Sequence, residues 1–350
     1  MYNIHLLPAL FGDSILVEYG KKASPRYILI DGGPYYGFEK MMEGLNKVAP
    51  KIKQVELLVI THIDIDHIDG LITLLNRDKL PFKIKEIWFN GWEQLKPIPS
   101  SKLGALQGEY LSMMIKKHRL TQNKFFKGKA IVVKDANNLP EIPIEGGMKL
   151  TLLSPHLSAL KKLKDTWKKE MDTITSKASI TERWKEEKRY LRGLPSKLGG
   201  KPPHPDISVA NGSSIAFIAT YDNRSCLFAG DTMSKELVRS IEPLCTKMNV
   251  DRYPLDAWKL AHHGSGKSTQ ATIINKIIAP KILVSSNGDR YSHPDKICIE
   301  TLLANNKKGL QLYFNYESSQ TKIWNEEKKR DKYGHKPYYG SKEGIISVSL

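Results

Sequence analysis

The chain has 350 residues, 40% of them hydrophobic, which is enough for a sizeable core in one large domain or two modest ones. No apolar stretch has the length of a membrane span, the N-terminus lacks the features of a signal peptide, and three scattered cysteines fit neither a disulfide framework nor a zinc ribbon, so we expect a cytoplasmic protein. The net charge of +17 favours a polyanionic partner such as nucleic acid, although lysine also serves solubility alone.

Short strands dominate the first third of the chain. The β-branched and aromatic runs are "YNIHLL", "SILVEY", "RYILIDGG", "VELLVITH" and "KIKEIWFNG". The apolar spacing of "GFEKMMEGLNKVAP" and "ALQGEYLSMMIKKH" predicts amphipathic helices, and "DGLITLLNR" is predicted to begin another helix. "KAIVVK" is predicted to be a further strand.

The second half repeats this alternation of strands and helices. Predicted strands are "KLTLLSPH", "SSIAFIATY", "SCLFAGD", "AWKLAHHGS", "KILVSSNG" and "GIISVSL", with helices at "SKELVRSIEPL" and "QATIINKIIAP". Strands in each half with helices between them predict an α/β fold. We expect an αββα sandwich of two mixed β-sheets flanked by helices.

We expect a single domain over residues 1–350 with two additions. Residues 157–206 form a charged insertion that closes at "GGKPPHPD", and residues 317–350 form a basic C-terminal extension. The insertion is either a solvated helical hairpin or a basic arm that offers Trp167, Trp184 and Tyr190 for base stacking.

The stretch "THIDIDHIDG" at residues 61–70 carries the strongest chemical signal. In an extended segment His62, Asp64 and Asp66 would share one face, and His67 would join them from the turn. Imidazole and carboxylate suit Zn²⁺, Fe or Mn²⁺, and this spacing can serve two adjacent ions.

Other interpretations of this stretch are weaker. An EF-hand loop starting at Asp64 would need a polar ligand at Ile68 and a glutamate at Leu75. Asp69 could cap a helix, which is compatible with a metal site, and a solvated acidic turn leaves the histidines unexplained.

Polar residues also follow three later strands. Asp231 ends "CLFAGD", His262 and His263 end "AWKLAHHGS", and His293 lies in the loop after "KILVSSNG". Because ligand sites collect on loops at a sheet edge, we expect these side chains to converge with the first cluster.

These motifs resemble the metallo-β-lactamase superfamily, whose hallmark is H-x-H-x-D-H. More narrowly, the chain is similar to the hydrolase domain of the bacterial competence DNA-uptake channel. That branch carries, in this order, "GDSILVEYG…YILIDGG", the metal cluster, "NGSSIAFI…CLFAGD", "HHGS" and a late histidine–proline pair.

The resemblance implies two divalent ions, with Zn²⁺ the first candidate. Asp66 and His67 would hold one ion, His62 and Asp64 the other, and Asp231 would bridge them. One of His262 and His263 would complete the Asp66/His67 position, with His263 favoured, and the other would face the substrate.

Two departures from the family pattern affect the second ion. Asp64 stands where most members carry histidine, and harder oxygen ligation favours Mn²⁺ or Fe. The usual mid-chain histidine ligand has His156 as its best counterpart and His204 as a weaker one. Without either, the His62/Asp64 position would be short of a ligand.

The expected reaction is hydrolysis of a phosphodiester by a metal-activated water. Asp66 would ligate and also orient that water or take its proton, and a histidine would stabilise charge on the phosphate. His293 would grip phosphate or protonate the leaving oxygen, unless it is only a turn residue. Ser265 and Lys267 are placed to touch phosphate.

A nuclease is the leading prediction, since the basic charge suggests a polyanionic substrate and no membrane partner is expected. One alternative is a hydrolase of a small lactone, thioester or cyclic nucleotide, because one scaffold hosts many chemistries. Another is a binding or regulatory module whose metal site has degenerated.

Overall fold

The computed structural model describes residues 1–97, 106–174, 207–306 and 308–350, together with Glu182 and Lys185. The strands of these ranges, in chain order, are β1 Tyr2–Leu6, β2 Ile15–Lys21, β3 Ser24–Ile30, β4 Gln54–Val55, β5 Leu57–Val59, β6 Lys83–Ile84, β7 Ile87–Trp88, β8 Glu141–Ile144, β9 Met148–Ser154, β10 Ala216–Tyr221, β11 Arg224–Phe228, β12 Tyr253–Pro254, β13 Ala257–Lys259, β14 Ile277–Ile278, β15 Lys281–Val284, β16 Gln311–Phe314, β17 Lys336–Tyr339 and β18 Ile346–Ser349.

Two large mixed sheets hold most of these strands. The first has the order β18-β1-β2-β3-β5-β7, and the second has the order β17-β16-β15-β13-β11-β10-β9-β8. In the first sheet β3, β5 and β7 are parallel, and in the second the strands from β11 to β17 are parallel. Loops after parallel strands emerge at the same sheet edge, which brings distant parts of the chain together.

Helices cover the outer faces of both sheets. The α-helices of the described ranges are α1 Phe38–Val48, α2 Ile65–Leu75, α3 Trp92–Leu95, α4 Leu106–Lys117, α5 Leu157–Ile174, α6 Ile207–Gly212, α7 Ser234–Met248, α8 Ala271–Ile274, α9 Lys296–Ala304, α10 Ser319–Lys322 and α11 Glu327–Tyr333. Among them, none combines the length and apolar character needed to cross a bilayer.

The buried apolar side chains form three layers. The central layer lies between the sheets and includes Ile15 and Val17 of β2 with Phe217 and Phe228 of the second sheet. Leu16, which alternates with them, belongs instead to the layer under α1, α2 and α4. A third layer lies between the second sheet and α7, α8 and α9. The predicted αββα sandwich is therefore confirmed.

Two local predictions in the first half were wrong. Helix α2 begins at Ile65, so Asp66 lies in its first turn and not on an extended segment, and Asp64 rather than Asp69 precedes the helix. "KAIVVK" forms no ladder and contributes only a bridge between Val133 and His156. At "KAIVVK" the surrounding structure outweighs local β propensity.

The two predicted additions differ in how much of them is described. Residues 175–206 of the insertion lie outside the described residues, apart from Glu182 and Lys185, and they include Trp184, Tyr190 and His204. Helix α5 forms its beginning. The C-terminal residues contribute an edge strand to each sheet, β17 beside β16 and β18 beside β1, so the predicted last strand is confirmed.

The backbone of α2 at Gly70 crosses in direct contact over the turn at Gly32 and Gly33, which follows β3 of the first sheet. The amide of Gly70 donates to Gly33 O at 2.8 Å, and the amide of Gly32 donates to His67 O at 2.9 Å. A Cβ on Gly70 would lie 1.9 Å from Gly32 O, so no other residue fits without moving backbone. The turn "DGG" after β3 thereby positions the helix turn that carries Asp66 and His67.

Gly70→Ala is expected to destabilise the fold by about 1–3 kcal/mol through overpacking, measured as a lower urea midpoint. Gly212→Ala is the matched control, because it also lies in a helix and its Cβ would have nothing within 4 Å. The control should change stability by no more than about 1 kcal/mol. Equal effects of the two substitutions would contradict a tight crossing.

Candidate metal centre

Three segments of the chain bring seven histidine and aspartate side chains to one edge of the sandwich. His62 and Asp64 follow β5, Asp66 and His67 open α2, Asp231 follows β11, and His262 and His263 follow β13. All but His262 are less than 9% exposed, and the His262 side chain is 19% exposed. Burial of so many ionisable groups requires that they be paired or hold an ion.

One part of this cluster surrounds the Oδ1 atom of Asp231. His67 Nε2 lies 3.3 Å from that atom and His263 Nε2 lies 4.0 Å from it. His263 Nε2 also lies 3.4 Å from Asp66 Oδ2. The ligand atoms of Asp66, His67 and His263 all lie within 4.8 Å of one another, as a single ion requires.

The other part surrounds the Oδ2 atom of Asp231. His62 Nε2 and His262 Nε2 each lie 3.7 Å from it, and His62 Nε2 lies 3.4 Å from Asp64 Oδ2. Ligand atoms of His62, His67 and Asp231 form a second group within 4.8 Å. Asp231 therefore lies between two groups, with one oxygen toward each.

Outer partners orient three of the imidazoles by holding Nδ1. His67 Nδ1 donates to Asp31 Oδ2 at 2.8 Å, and His263 Nδ1 donates to Ser285 O at 2.9 Å. Thr61 Oγ1 donates to Asp31, so it accepts from His62 Nδ1 at 2.9 Å. Each bond leaves Nε2 as the nitrogen that can bind a metal.

A buried ion pair supports the same site from behind. Lys259 Nζ lies 2.6 Å from Asp13 Oδ2, and both side chains are almost completely buried. Asp13 Oδ1 lies 3.3 Å from His263 Nδ1. The sequence predicted no role for Asp13, Asp31 or Lys259, although Asp13 lies in "FGDS" and Asp31 lies in "ILIDGG". Residues that contact candidate ligands, and not the ion itself, follow no fixed spacing in the sequence.

The buried aspartates of the site stabilise positive charge on the neighbouring imidazoles. Burial alone would lower the pKa of His263, but Asp13, Asp231 and Asp66 raise it to about 9. Burial likewise acts against protonated His67, yet Asp231 and Asp31 raise its pKa well above the usual value. Burial would raise the pKa of Asp231, but the neighbouring imidazoles hold it well below its ordinary range.

The donor set fits divalent cations. His62 Nε2, His67 Nε2, His263 Nε2 and Asp231 Oδ1 are buried, and within the described part of the chain they have no hydrogen bond of good geometry. Imidazole nitrogens and carboxylate oxygens aimed at a shared space are the ligands of Zn²⁺, Mn²⁺ and Fe sites.

The double histidine has an unusual backbone. His262 has φ 47° and ψ 52°, and His263 has φ 55° and ψ 20°, so two consecutive non-glycine residues are left-handed. Such strain persists only where surrounding contacts impose it, and it is typical of functional sites. The turn directs both imidazoles toward Asp231, an arrangement that sequence spacing does not reveal.

His156, which was predicted as a metal ligand, does not join the cluster. Its Nε2 lies 3.1 Å from Ser240 Oγ and 3.3 Å from Glu236 O, both on α7. The side chain packs beneath that helix because β9 ends next to it. The weaker candidate, His204, lies outside the described residues.

A cleft of ≈ 540 Å³ opens over the cluster. Its lining includes the predicted residues Asp66, Asp231, His262, His293, Ser265 and Lys267. It also includes Arg290 and Tyr291, which the sequence did not single out. The Arg290 guanidinium lies 5.1 Å from the centre of the Phe11 ring and 5.4 Å from that of Tyr291. The sequence signal that could have identified Arg290 is its position three residues before His293, which was already a candidate site residue.

The layered fold, with the histidine–aspartate cluster at its edge, is a fold of the metallo-hydrolase type. A family model described as the metallo-beta-lactamase superfamily matches residues 7–282. The chain belongs to this superfamily. No curated protein matches it at a significant level.

The solved structures that are similar to the chain include the three that follow. CmlA, a diiron beta-hydroxylase from Streptomyces venezuelae, has 10% identity and a TM-score of 0.44 over 100% of this chain. This chain spans only 54% of that one, about half its length. Zn(2+)-bound PqqB from Methylobacterium extorquens has 9% identity and a TM-score of 0.45, covering 99% of this chain and 100% of its own. Human tRNase Z, short form, has 11% identity and a TM-score of 0.39, with coverage of 99% and 100%.

Proposed function

We propose that this chain is a metal-dependent phosphodiesterase, and that its substrate is nucleic acid met in the cytoplasm. The observation that carries the proposal is the convergence of His62, His67, His263, Asp66 and Asp231 beneath a cleft that cationic side chains line. The basic composition of the chain, with a net charge of +17, supports a polyanionic substrate.

Two ions would be held by the residues that surround Asp231. His62 and Asp64 would hold one with Asp231 Oδ2, and Asp66, His67 and His263 would hold the other with Asp231 Oδ1. Bound there, divalent ions supply Lewis acidity that lowers the pKa of water and neutralises charge on phosphate oxygens. Zn²⁺ is the first candidate, and the three aspartates also suit Mn²⁺ or Fe.

Residues of the chain itself position the substrate. His293 lines the cleft, and its Nδ1 lies 3.1 Å from Asp295 Oδ1, which leaves Nε2 for a phosphate oxygen or the leaving oxygen. Asp66 has one oxygen against His263 and lines the cleft, so it can orient the attacking water. Its removal is expected to abolish the reaction.

Cations at the mouth of the cleft would bind the polyanion. Lys267 and Arg290 are exposed and line the cleft, and Arg290 is held over the rings of Phe11 and Tyr291. A guanidinium anchored in this way is pre-organised for phosphate. We also propose that the chain belongs to the same branch as the hydrolase domain of the competence DNA-uptake channel, on the motifs shared in order.

A second candidate function is hydrolysis of a small lactone, thioester or cyclic nucleotide. The observation in its favour is the cleft volume of ≈ 540 Å³, which is the size of small-molecule pockets. A binding or regulatory module is the third possibility, and it predicts that metal content is at background.

The test is hydrolysis by protein purified with its native metals, on plasmid, single-stranded DNA, RNA and a generic phosphodiester, repeated with chelator. We expect cleavage of nucleic acid, loss with chelator, recovery with added metal, and loss in Asp66→Ala. Affinity for long DNA should fall steeply as salt rises, because phosphate contacts release counterions.

Each contrary outcome identifies an alternative. Cleavage of small esters with little dependence on salt would favour the small-molecule hydrolase. Background metal content and no hydrolysis of any substrate would contradict an enzyme altogether. Lys247→Ala, an exposed lysine on α7, is the control for Lys267→Ala, and only Lys267→Ala should weaken binding.

A further inference from the structure

The double histidine raises the question of what the first imidazole does. His263 has a clear place, with Nδ1 held by Ser285 O and Nε2 beside Asp66 and Asp231. The position of His262 favours contact with the substrate and not with an ion, because its side chain is 19% exposed and lines the cleft. The distances around Asp231 point to another role.

The two oxygens of Asp231 divide the four imidazoles into two pairs. Oδ1 faces Nε2 of His67 at 3.3 Å and of His263 at 4.0 Å. Oδ2 faces Nε2 of His62 and of His262, both at 3.7 Å. His262 Nε2 therefore lies at the same distance from Oδ2 as Nε2 of the candidate ligand His62.

The backbone and the Nδ1 contacts of His262 favour this orientation. Its left-handed conformation, followed by that of His263, turns two consecutive side chains toward one carboxylate. Nδ1 lies 3.3 Å from Ser268 Oγ, which can accept its hydrogen, and 3.2 Å from the Asn211 side-chain amide. With Nδ1 so held, Nε2 is the nitrogen that faces Asp231.

We propose that His262 is a metal ligand, and that it completes the position formed by His62, Asp64 and Asp231 Oδ2. The double histidine then supplies one imidazole to each of two ions, and His293 remains the imidazole that meets the substrate. This inference rests on the proposed metal-dependent function, but it concerns where each ion is held.

The experiment measures metal content and affinity after dialysis, in the wild type and in His262→Ala, His262→Gln and His263→Ala. His156→Ala is the control, since that histidine packs under α7 away from the cluster. We expect about two ions per chain in the wild type and control, and about one tight ion in His262→Ala. The second ion should bind more than about 100-fold more weakly, because even outer partners of ligands cost about 10–100-fold.

His262→Gln should fold because the position is partly exposed, and it should show the same loss of one ion. Two tight ions in both His262 variants would overturn the inference, even if hydrolysis falls. Loss of one ion in His204→Ala and not in the His262 variants would also overturn it. A wild-type protein with no metal would instead contradict the proposed function itself, so the two failures are distinguishable.

Discussion

Asp231→Asn is expected to release both ions and to lower phosphodiester turnover by more than about 100-fold, a larger loss than outer partners of metal ligands cause. The reason is the position of this one carboxylate between the two groups. Oδ1 lies 3.3 Å from His67 Nε2, and Oδ2 lies 3.7 Å from His62 Nε2. The amide is nearly isosteric but has no charge, so it cannot offset two cations.

The change should leave the fold intact and act on ion binding. Asp231 is 1% exposed, and its backbone amide, which the substitution keeps, donates to Ser214 Oγ at 3.1 Å. Asp222→Asn is the matched control, because it makes the same chemical change at an exposed turn residue. Metal content after dialysis is the primary measurement, and turnover is the second. Two tightly held ions in Asp231→Asn would show that this carboxylate does not bridge them.

Lys259→Met is expected to destabilise the fold by about 3–5 kcal/mol, because it leaves the Asp13 carboxylate buried without its cation. The two side chains are 1% and 2% exposed, and Lys259 Nζ lies 2.6 Å from Asp13 Oδ2. Burial would raise the pKa of Asp13, but Lys259 and His263 hold it below its usual range. Methionine keeps most of the side-chain volume and removes only the charge.

Urea unfolding of the metal-free protein measures this effect without a contribution from ion binding. Lys276→Met is the control, because its pair with Glu242 is exposed and should contribute less than about 1 kcal/mol. The double variant Lys259→Met/Asp13→Leu should recover most of the stability. It should still bind metal about 10–100-fold more weakly, because His263 loses an outer partner. Equal losses in the Lys259 and Lys276 variants would contradict a buried pair.

The strands of this fold and the first metal cluster could be predicted because their signals are local. The alternation of Ile15, Leu16 and Val17 between two apolar layers follows from the two-residue period of a strand. The density of histidine and aspartate at residues 61–70 indicated metal chemistry without knowledge of any contact. Polar residues after apolar strands likewise marked Asp231 and the double histidine.

Only the tertiary structure decided which of these residues meet. His156 was the best counterpart of the usual mid-chain ligand, but it follows β9 and lies beneath α7, away from the shared edge. Asp13, Asp31 and Lys259 carry no recognisable spacing, since their partners lie far away in sequence. The start of α2 at Ile65 and the left-handed turn at His262 depend on contacts between sheets and loops. Sequence periodicity records the period of a strand or helix, whereas convergence depends on strand order and backbone conformation, which no local pattern encodes.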